Sequence, residues 1–141
     1  MTILKNPSNP KGVSARHFIF GWIPLWLCTA VLIAGAVLPG DRLGLFATLN
    51  DKLIHGTEYF ILFGIAANAF RGSKTPAIAN RVMFFSFAYS FTMGALTEAL
   101  QFLVPWRSPE WADLWVDFLG AGVGALLWIA VSRLRGKRTA A

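Results

Sequence analysis

The sequence predicts an all-α membrane protein, a four-transmembrane-helix bundle whose N- and C-termini are cytoplasmic. Three observations predict it: the composition, four long apolar stretches, and the distribution of charge along the chain. Of the 141 residues, 55% are hydrophobic and only 14% are charged, whereas soluble domains have about 25% charged residues. The chain is too short for two domains but long enough for about four spans of roughly 20 residues.

The four apolar stretches are separated by polar or helix-breaking residues. We predict spans at about 18–38, 51–70, 82–104 and 110–131 in one transmembrane domain of residues 18–131, between a mobile polar tail (1–17) and a basic tail (132–141). A signal peptide is the alternative for the first span, because Ala34-Gly35-Ala36 resembles a cleavage site. Since the apolar core of a signal peptide has about 7–15 residues, the longer uncharged run 18–37 favours a retained helix.

Breaks and caps mark the ends of the spans. Pro39-Gly40-Asp41 ends the first span, and Pro24 near its start predicts a kink. Asn50 or Asp51 is expected to cap the second helix by accepting from its free N–H groups. Ser108-Pro109-Glu110 predicts the start of the fourth helix, with a hydroxyl cap, proline at the first helical position and an acid in the first turn.

The distribution of charge predicts the orientation. Four spans place both tails and the 71–81 loop on one side of the membrane, together with ten basic residues and no acid: Lys5, Lys11, Arg16, Arg71, Lys74, Arg81, Arg133, Arg135, Lys137 and Arg138. The other side has three basic residues and all seven acids. The positive-inside rule therefore places both termini of this multi-pass membrane protein in the cytoplasm. Anionic lipid, and no nucleic acid, is the expected partner of the basic tails.

Polar residues of three predicted helices fall at one depth near the outer surface. Asp51, His55 and Glu58 share one face of the second helix, and Glu58 lies about 10 Å below Asp51. Glu98 lies about 9 Å from the end of the third helix, with Gln101 one turn away. Asp113 and Asp117 lie about 6 Å and 12 Å into the fourth helix. This convergence predicts a shared site, because ionisable residues inside a membrane are costly unless they have a function or a partner.

Three linked motifs occupy this region: Asp51-Lys52-x-x-His55-Gly56-x-Glu58-Tyr59, then Thr97-Glu98-x-x-Gln101, then Pro105-x-Arg107 with Asp113-Leu114-x-x-Asp117-x-x-Gly120-x-x-x-Gly124. Over about residues 45–130 they resemble the VanZ-like family of integral membrane proteins. The family takes its name from a member linked to teicoplanin resistance, so the resemblance implies a cell-envelope function connected with glycopeptide antibiotics. Asp117 stands where that family usually has Asn, which adds a carboxylate. The Gly120-Gly124 spacing predicts close helix packing.

The leading functional hypothesis is that this site binds or processes a cell-envelope molecule, a lipid-linked glycan or a peptidoglycan-related species, with a glycopeptide as another partner. The candidate catalytic residues are Glu58, Glu98 and His55, and the candidate binding residues are Asp51, Lys52, Gln101, Arg107, Asp113 and Asp117. Six acids here face only Lys52 and Arg107, so some acids must be protonated, solvated or otherwise partnered. The hypothesis does not determine whether the protein is an enzyme.

Several alternatives stay open. The chain is a non-enzymatic scaffold or accessory subunit if its polar cluster only holds the helices together. In that case Lys52 and Arg107 balance the charge of the acids, and His55 forms a hydrogen bond with Asp51 or with a backbone group. Asp51, His55 and Glu58 have side chains that bind divalent metals, but without a second nearby histidine we do not favour a metal, and any cofactor is unknown. A proton pathway is weaker, because no ionisable residue lies in the cytoplasmic half of a span.

Overall fold

The computed structural model describes Arg16 and residues 18–39, 51–71 and 76–138, and these residues form helices without any strand. A π-helical turn (Phe18–Trp22) precedes α1 (Ile23–Val37), followed by α2 (Asp51–Ala69), α3 (Pro76–Phe102) and α4 (Trp111–Arg138). The all-α prediction is therefore confirmed for the described part of the chain. Arg16 apart, the predicted mobile tail lies outside the described residues, as do the Gly40-Asp41 break and the Asn50 cap.

The helix ends differ from the prediction at three places, one of which is the end of α4, which continues to Arg138 instead of ending at 131. α3 begins at Pro76, earlier than the predicted 82, because proline is tolerated in the first turn, where its missing N–H would have had no partner. α4 begins at Trp111, so the prediction that Pro109 is its first helical residue was wrong. The Asp113 N–H donates to the Glu110 carbonyl at 2.9 Å, which places Ser108 and Pro109 in the preceding loop.

The start of α1 is shaped by Pro24. Proline lacks an N–H and its ring displaces the carbonyl four residues earlier, which is that of Phe20. The backbone accommodates the proline by forming the π-helical turn that ends at Trp22, immediately before α1. The Phe20 carbonyl instead accepts a hydrogen bond from the Asn68 side-chain amide at 2.8 Å. A residue of α2 therefore satisfies the backbone group that the proline leaves without its helical partner.

α2 is the central helix, because it packs against α1, α3 and α4. Its buried face carries Tyr59, Leu62, Phe63, Ala66 and Ala67. Two apolar clusters meet on this face: Leu25, Leu32, Tyr59, Leu62, Ala66, Ala69 and Met93 form one, and Phe63, Ala67, Val82 and Ala121 form the other. The alternation of large side chains and alanines lets neighbouring helices fill each other's gaps.

Glycines set the distance between α2 and α4. A Cβ atom on Gly120 would lie 2.1 Å from the Gly56 carbonyl oxygen, and one on Gly124 would lie 2.9 Å from the Phe63 ring. Both positions are therefore limited to glycine unless the helices separate. The structure agrees with the packing predicted from the Gly120-Gly124 spacing, in which small residues allow two backbones to approach closely.

The outer surface of the helices is apolar. Two stretches, Phe18–Val37 and Trp111–Leu134, are long and apolar enough to cross a membrane among the described residues. Large side chains are exposed on α3 and α4 as well, with Phe84 at 65% and Trp111 at 83%. Soluble monomers rarely expose so much contiguous apolar surface. The two long apolar helices and the exposed apolar side chains are consistent with a membrane protein.

Candidate functional site

Polar side chains gather at one end of the helices, which we call the polar end. It is formed by the N-terminal ends of α2 and α4 and the C-terminal ends of α1 and α3. Antiparallel packing brings these ends together, so residues far apart in sequence become neighbours. All nine of the sequence-predicted site residues lie on these helix ends or on the loop that joins α3 to α4, 103–110.

His55 and Asp117 form the centre of the polar end. The His55 Nδ1 atom lies 3.0 Å from the Asp117 Oδ1 atom, which joins α2 to α4. Asp117 is only 2% exposed and His55 is half-buried. The expectation that Asp51 or a backbone group is the partner of His55 was wrong. Since Asp117 contacts Nδ1, the second ring nitrogen of His55 is available to a further group.

Two carboxylate oxygens next to this pair are buried and lack a hydrogen-bond partner among the described residues: Glu98 Oε1 and Asp117 Oδ2. Asp117 Oδ2 faces α3 at Gly94, where an added Cβ atom would lie 3.1 Å from it. Glu98 lies one helical turn beyond Gly94 on the same face of α3. Gly94 therefore leaves space for an acid of α4 beside the acid of α3. Unsatisfied buried oxygens are rare in folded proteins and call for an explanation.

Lys52 pairs with the acids nearest the surface. Its Nζ atom lies 3.0 Å from Glu110 Oε2 and 3.2 Å from Asp113 Oδ1. Asp113 is buried in the first turn of α4, where a carboxylate also interacts favourably with the helix N-terminus. The expected balance between Lys52 and acids is present in the structure.

Arg107 has a different environment from the one expected. Its Nη2 atom donates to the Gly35 carbonyl of α1, and the indole N–H of Trp106 donates to the Val37 carbonyl at 3.1 Å. The Gly35 carbonyl has no helical donor, because the residue four positions later is Pro39. The loop between α3 and α4 therefore caps the C-terminal end of α1, as cationic side chains commonly do. Arg107 also lies within electrostatic range of Glu58.

Comparison with known proteins now adds to this geometry. The VanZ/LLP1 family matches residues 3–132. The chain belongs to the VanZ/LLP1 family. The family resemblance predicted from the three motifs is confirmed, and the match covers all four helices up to residue 132 in α4. The chain has no match among curated proteins or among solved structures.

In this VanZ/LLP1 protein a buried hydrogen bond between Tyr59 and Thr97 lies next to the polar end, and it was not predicted from the sequence. The Tyr59 hydroxyl lies 2.7 Å from the Thr97 hydroxyl. The Thr97 hydroxyl also lies within hydrogen-bond distance of the Met93 and Gly94 carbonyls. Because a hydroxyl has one proton, Thr97 donates to its own helix and Tyr59 donates to Thr97. The signal was the i, i+4 spacing of His55 and Tyr59, which places both on one face of α2.

The remaining predicted residues surround this VanZ/LLP1 site. Gln101 is buried one turn after Thr97 on α3, and Asp51 is exposed at the first residue of α2. Glu58 is half-buried and lies within electrostatic range of His55, Asp117 and Arg107. Glu58 also lies within electrostatic range of Cys28 on α1.

Two groups of side chains at the polar end could hold a metal ion. In each group three ligand atoms lie within 4.8 Å of one another, and the groups are Asp51, His55 and Asp113, and His55, Glu98 and Asp117. The set expected from sequence, Asp51, His55 and Glu58, is neither of them. His55 belongs to both groups, while the additional acids come from α3 and α4 rather than from Glu58.

A second concave feature lies at the other end of the helices. A groove of about 330 Å³ between α2 and α4 is lined by Phe60, Phe63, Trp128 and Arg71, among other residues. The Arg71 guanidinium lies 5.2 Å from the centre of the Trp128 ring, in the range of a cation–π contact. This mainly apolar groove shares no residue with the polar end. The polar end holds the histidine and the acids and is therefore the better candidate site.

Proposed function

We propose that this VanZ/LLP1 protein spans the bacterial cytoplasmic membrane four times with both termini in the cytoplasm, and that its polar end opens to the extracytoplasmic face. There it binds or processes a cell-envelope molecule, a lipid-linked glycan or a peptidoglycan-related species. A role in glycopeptide resistance follows if that molecule is the precursor to which such antibiotics bind.

The proposed topology has two supports. α2 and α3 have 19 and 27 residues, lengths of about 28 Å and 40 Å at 1.5 Å per residue, which suffice to cross a bilayer core of about 30 Å once flanking residues are included. The basic side chains of Arg71, Arg81 and Arg133 lie at the end away from the acids, as the positive-inside rule requires of the cytoplasmic end.

The observation that carries the proposed function is the meeting of His55, Glu98 and Asp117, from three different helices, with two buried oxygens that have no partner in the described part of the chain. A polar network that served only to join helices would gain stability by satisfying its members. Oxygens left without partners next to an imidazole are suited to a ligand that supplies the missing donors.

The geometry suggests a role for each predicted residue. Asp117 orients the His55 ring through Nδ1, an arrangement in which the imidazole takes and returns a proton at its other nitrogen. Glu98 and Glu58 flank this pair as candidate acids or bases. Gln101, Lys52, Asp51 and Asp113 lie around the pair as candidate binding groups, and Arg107 contributes from the loop.

Binding by purified protein in lipid nanodiscs tests the proposal. The probe is an undecaprenyl-linked disaccharide-pentapeptide, detected on the protein by native mass spectrometry. We expect wild type to bind the probe, and Glu98→Gln and His55→Ala to lose binding while remaining inserted and monodisperse. The matched control is Glu110→Gln, which removes an acid with 59% side-chain exposure at the same end and is expected to retain binding. Wild-type binding by both site variants, or no binding by wild type, would count against the proposal.

Cysteine labelling tests the orientation separately. In a Cys28→Ser background, Ser108→Cys lies in the loop between α3 and α4, and Thr139→Cys lies in the C-terminal tail. A membrane-impermeant maleimide added to intact cells should label only the cysteine at 108. Labelling at 139 before the membrane is permeabilised would contradict cytoplasmic termini.

The scaffold alternative has its own supporting observations, the Lys52 ion pairs and the capping of α1 by Arg107. Both contacts join helices without requiring a ligand. A scaffold role predicts that Glu98→Gln lowers the unfolding temperature and that the probe does not bind to wild type.

A further inference from the structure

We propose that His55, Glu98 and Asp117 form a binding site for a divalent transition-metal ion, with Zn²⁺ as the best match. The inference goes beyond the proposed function and does not depend on it, because metal binding by the chain is measured without any envelope molecule. It also replaces the three ligands expected from the sequence with a different set, to which α2, α3 and α4 each contribute one residue.

The positions of the donor atoms fit a single ion. One ligand atom from each residue lies within 4.8 Å of the others, and His55 Nδ1 lies 3.0 Å from Asp117 Oδ1. Two ligands about 2.1 Å from one ion lie about 3.0 Å apart at a right angle and about 3.4 Å apart at a tetrahedral angle. An ion can therefore replace the proton between His55 and Asp117 with little movement of either side chain, as metals do when they bind histidine.

The buried oxygens supply the second, independent observation. Asp117 is 2% exposed, and its Oδ2 atom has no hydrogen-bond partner among the described residues. The Glu98 Oε1 atom is likewise buried and without a hydrogen-bond partner among the described residues. Asp117 Oδ2 faces α3 at Gly94, one turn from Glu98 on the same face. The Glu98 and Asp117 carboxylates therefore lie close together where α3 meets α4, and a bound ion is one of the standard explanations for buried oxygens without partners.

The distribution of charge favours a cation at this position. The two strong cations near the polar end contact other groups: Lys52 pairs with Glu110 and Asp113, and Arg107 donates to the Gly35 carbonyl. His55 is the basic side chain that contacts Asp117, and Glu98 accepts a hydrogen bond from the Glu110 backbone N–H. The buried Asp117 and the half-buried Glu98 share a single imidazole, which leaves negative charge in a low-dielectric site, and this charge is unfavourable unless it is compensated. A divalent ion would balance both acids.

The type of donor selects the class of ion. Imidazole nitrogen suits Zn²⁺ and other transition metals, whereas Mg²⁺ and Ca²⁺ prefer sites made of oxygen alone. Three protein ligands leave a tetrahedral ion with one open position, as in zinc sites that bind water or a substrate. The other group, Asp51, His55 and Asp113, is less suited because Lys52 already pairs with Asp113 and Asp51 is exposed.

Zinc titration of tag-free, chelator-treated protein in nanodiscs tests the inference. Isothermal titration calorimetry measures affinity and stoichiometry, and elemental analysis of the purified protein measures zinc per chain. We expect one Zn²⁺ per chain in wild type and much weaker binding of Mg²⁺. Asp117→Asn, Glu98→Gln and His55→Gln should each weaken Zn²⁺ binding by more than about 100-fold, above the loss that follows removal of an outer-shell partner.

Two control variants make the result decisive. Glu110→Gln and Asp51→Asn retain all three proposed ligands and should bind Zn²⁺ with wild-type affinity. Each variant is first shown to be helical and monodisperse, and the Co²⁺ absorption spectrum of the wild type reports coordination in the same samples. The inference is overturned if wild type shows no saturable Zn²⁺ binding, if Asp117→Asn and Glu98→Gln bind as wild type does, or if Asp51→Asn alone abolishes binding.

Discussion

The interface between α2 and α4 contains two neighbouring regions with opposite packing. At the glycine crossing, defined by Gly56, Gly120, Phe63 and Gly124, the backbone of Gly56 and the ring of Phe63 leave no room for a Cβ atom on the two glycines of α4. About one turn away on α4, Asp117 has a buried oxygen without a partner in the described residues, as does Glu98 on the adjoining helix α3. The contact between α2 and α4 is therefore tightly packed in one region, while the next region contains a buried polar atom without a hydrogen bond.

The difference indicates what each region contributes. Close packing of glycine against backbone fixes the separation of α2 and α4 through many small contacts. That rigid separation holds His55 opposite Asp117, since each residue lies within three positions of a crossing glycine. The polar end departs from full hydrogen bonding, and such departures are expected at functional sites rather than in structural cores. Substitutions at the glycine crossing should therefore lower stability, whereas substitutions at the polar end should weaken ligand binding.

The largest expected effect comes from Gly120→Ala. The added methyl group would meet the Gly56 carbonyl oxygen, which belongs to the backbone and cannot rotate away. α2 and α4 must then separate, at a cost of about 3 kcal/mol or more in the free energy of unfolding. Thermal unfolding in detergent, followed by circular dichroism, measures the loss.

Gly122→Ala is the matched control on the same helix. A Cβ atom at this position meets nothing within 4 Å, so we expect an unfolding temperature at or slightly above that of the wild type, because alanine favours helix. Equal behaviour of the two variants would show that the glycine crossing does not determine the stability of the fold.

A smaller effect is expected at the border between the regions, where Tyr59 donates to Thr97. Tyr59→Phe keeps the ring in the core and removes the hydroxyl group, which should cost about 0.5–1 kcal/mol in the free energy of unfolding. A double-mutant cycle with Thr97→Val isolates the pair and should give a coupling of about 0.6 kcal/mol. Additive single effects would show that the two hydroxyl groups do not act together.

The polar end itself could be located from the sequence, because helix direction and a rise of 1.5 Å per residue determine depth. Asp51 to Glu58, Glu98, and Asp113 to Asp117 were thereby assigned to one level. The identity of the partners could not be predicted. Helices that are apolar on most sides give little periodic signal to fix their rotation, so His55 could not be assigned to Asp117 rather than Asp51.

The side chains that donate to distant backbone carbonyls could not be predicted from the sequence either. The carbonyls of Phe20 and Gly35 lose their helical donors to Pro24 and Pro39, which the sequence shows directly. The side chains that replace those donors, Asn68 and Arg107, come from residues 48 and 72 positions away. Their selection depends on tertiary packing, which also explains why Arg107 contacts a carbonyl instead of an acid.

The smallest expected effect on stability is also the most direct test of the account, and it comes from Glu98→Gln. The measurement is the unfolding temperature of metal-free wild type and variant in the same detergent. We predict that the variant unfolds at the same temperature or a higher one, because the amide removes a half-buried carboxylate whose Oε1 atom has no hydrogen-bond partner among the described residues, while ligand binding at the polar end is lost. A variant that unfolds at a clearly lower temperature would show that Glu98 belongs to a structural network, and would contradict the assignment of the polar end as a ligand site.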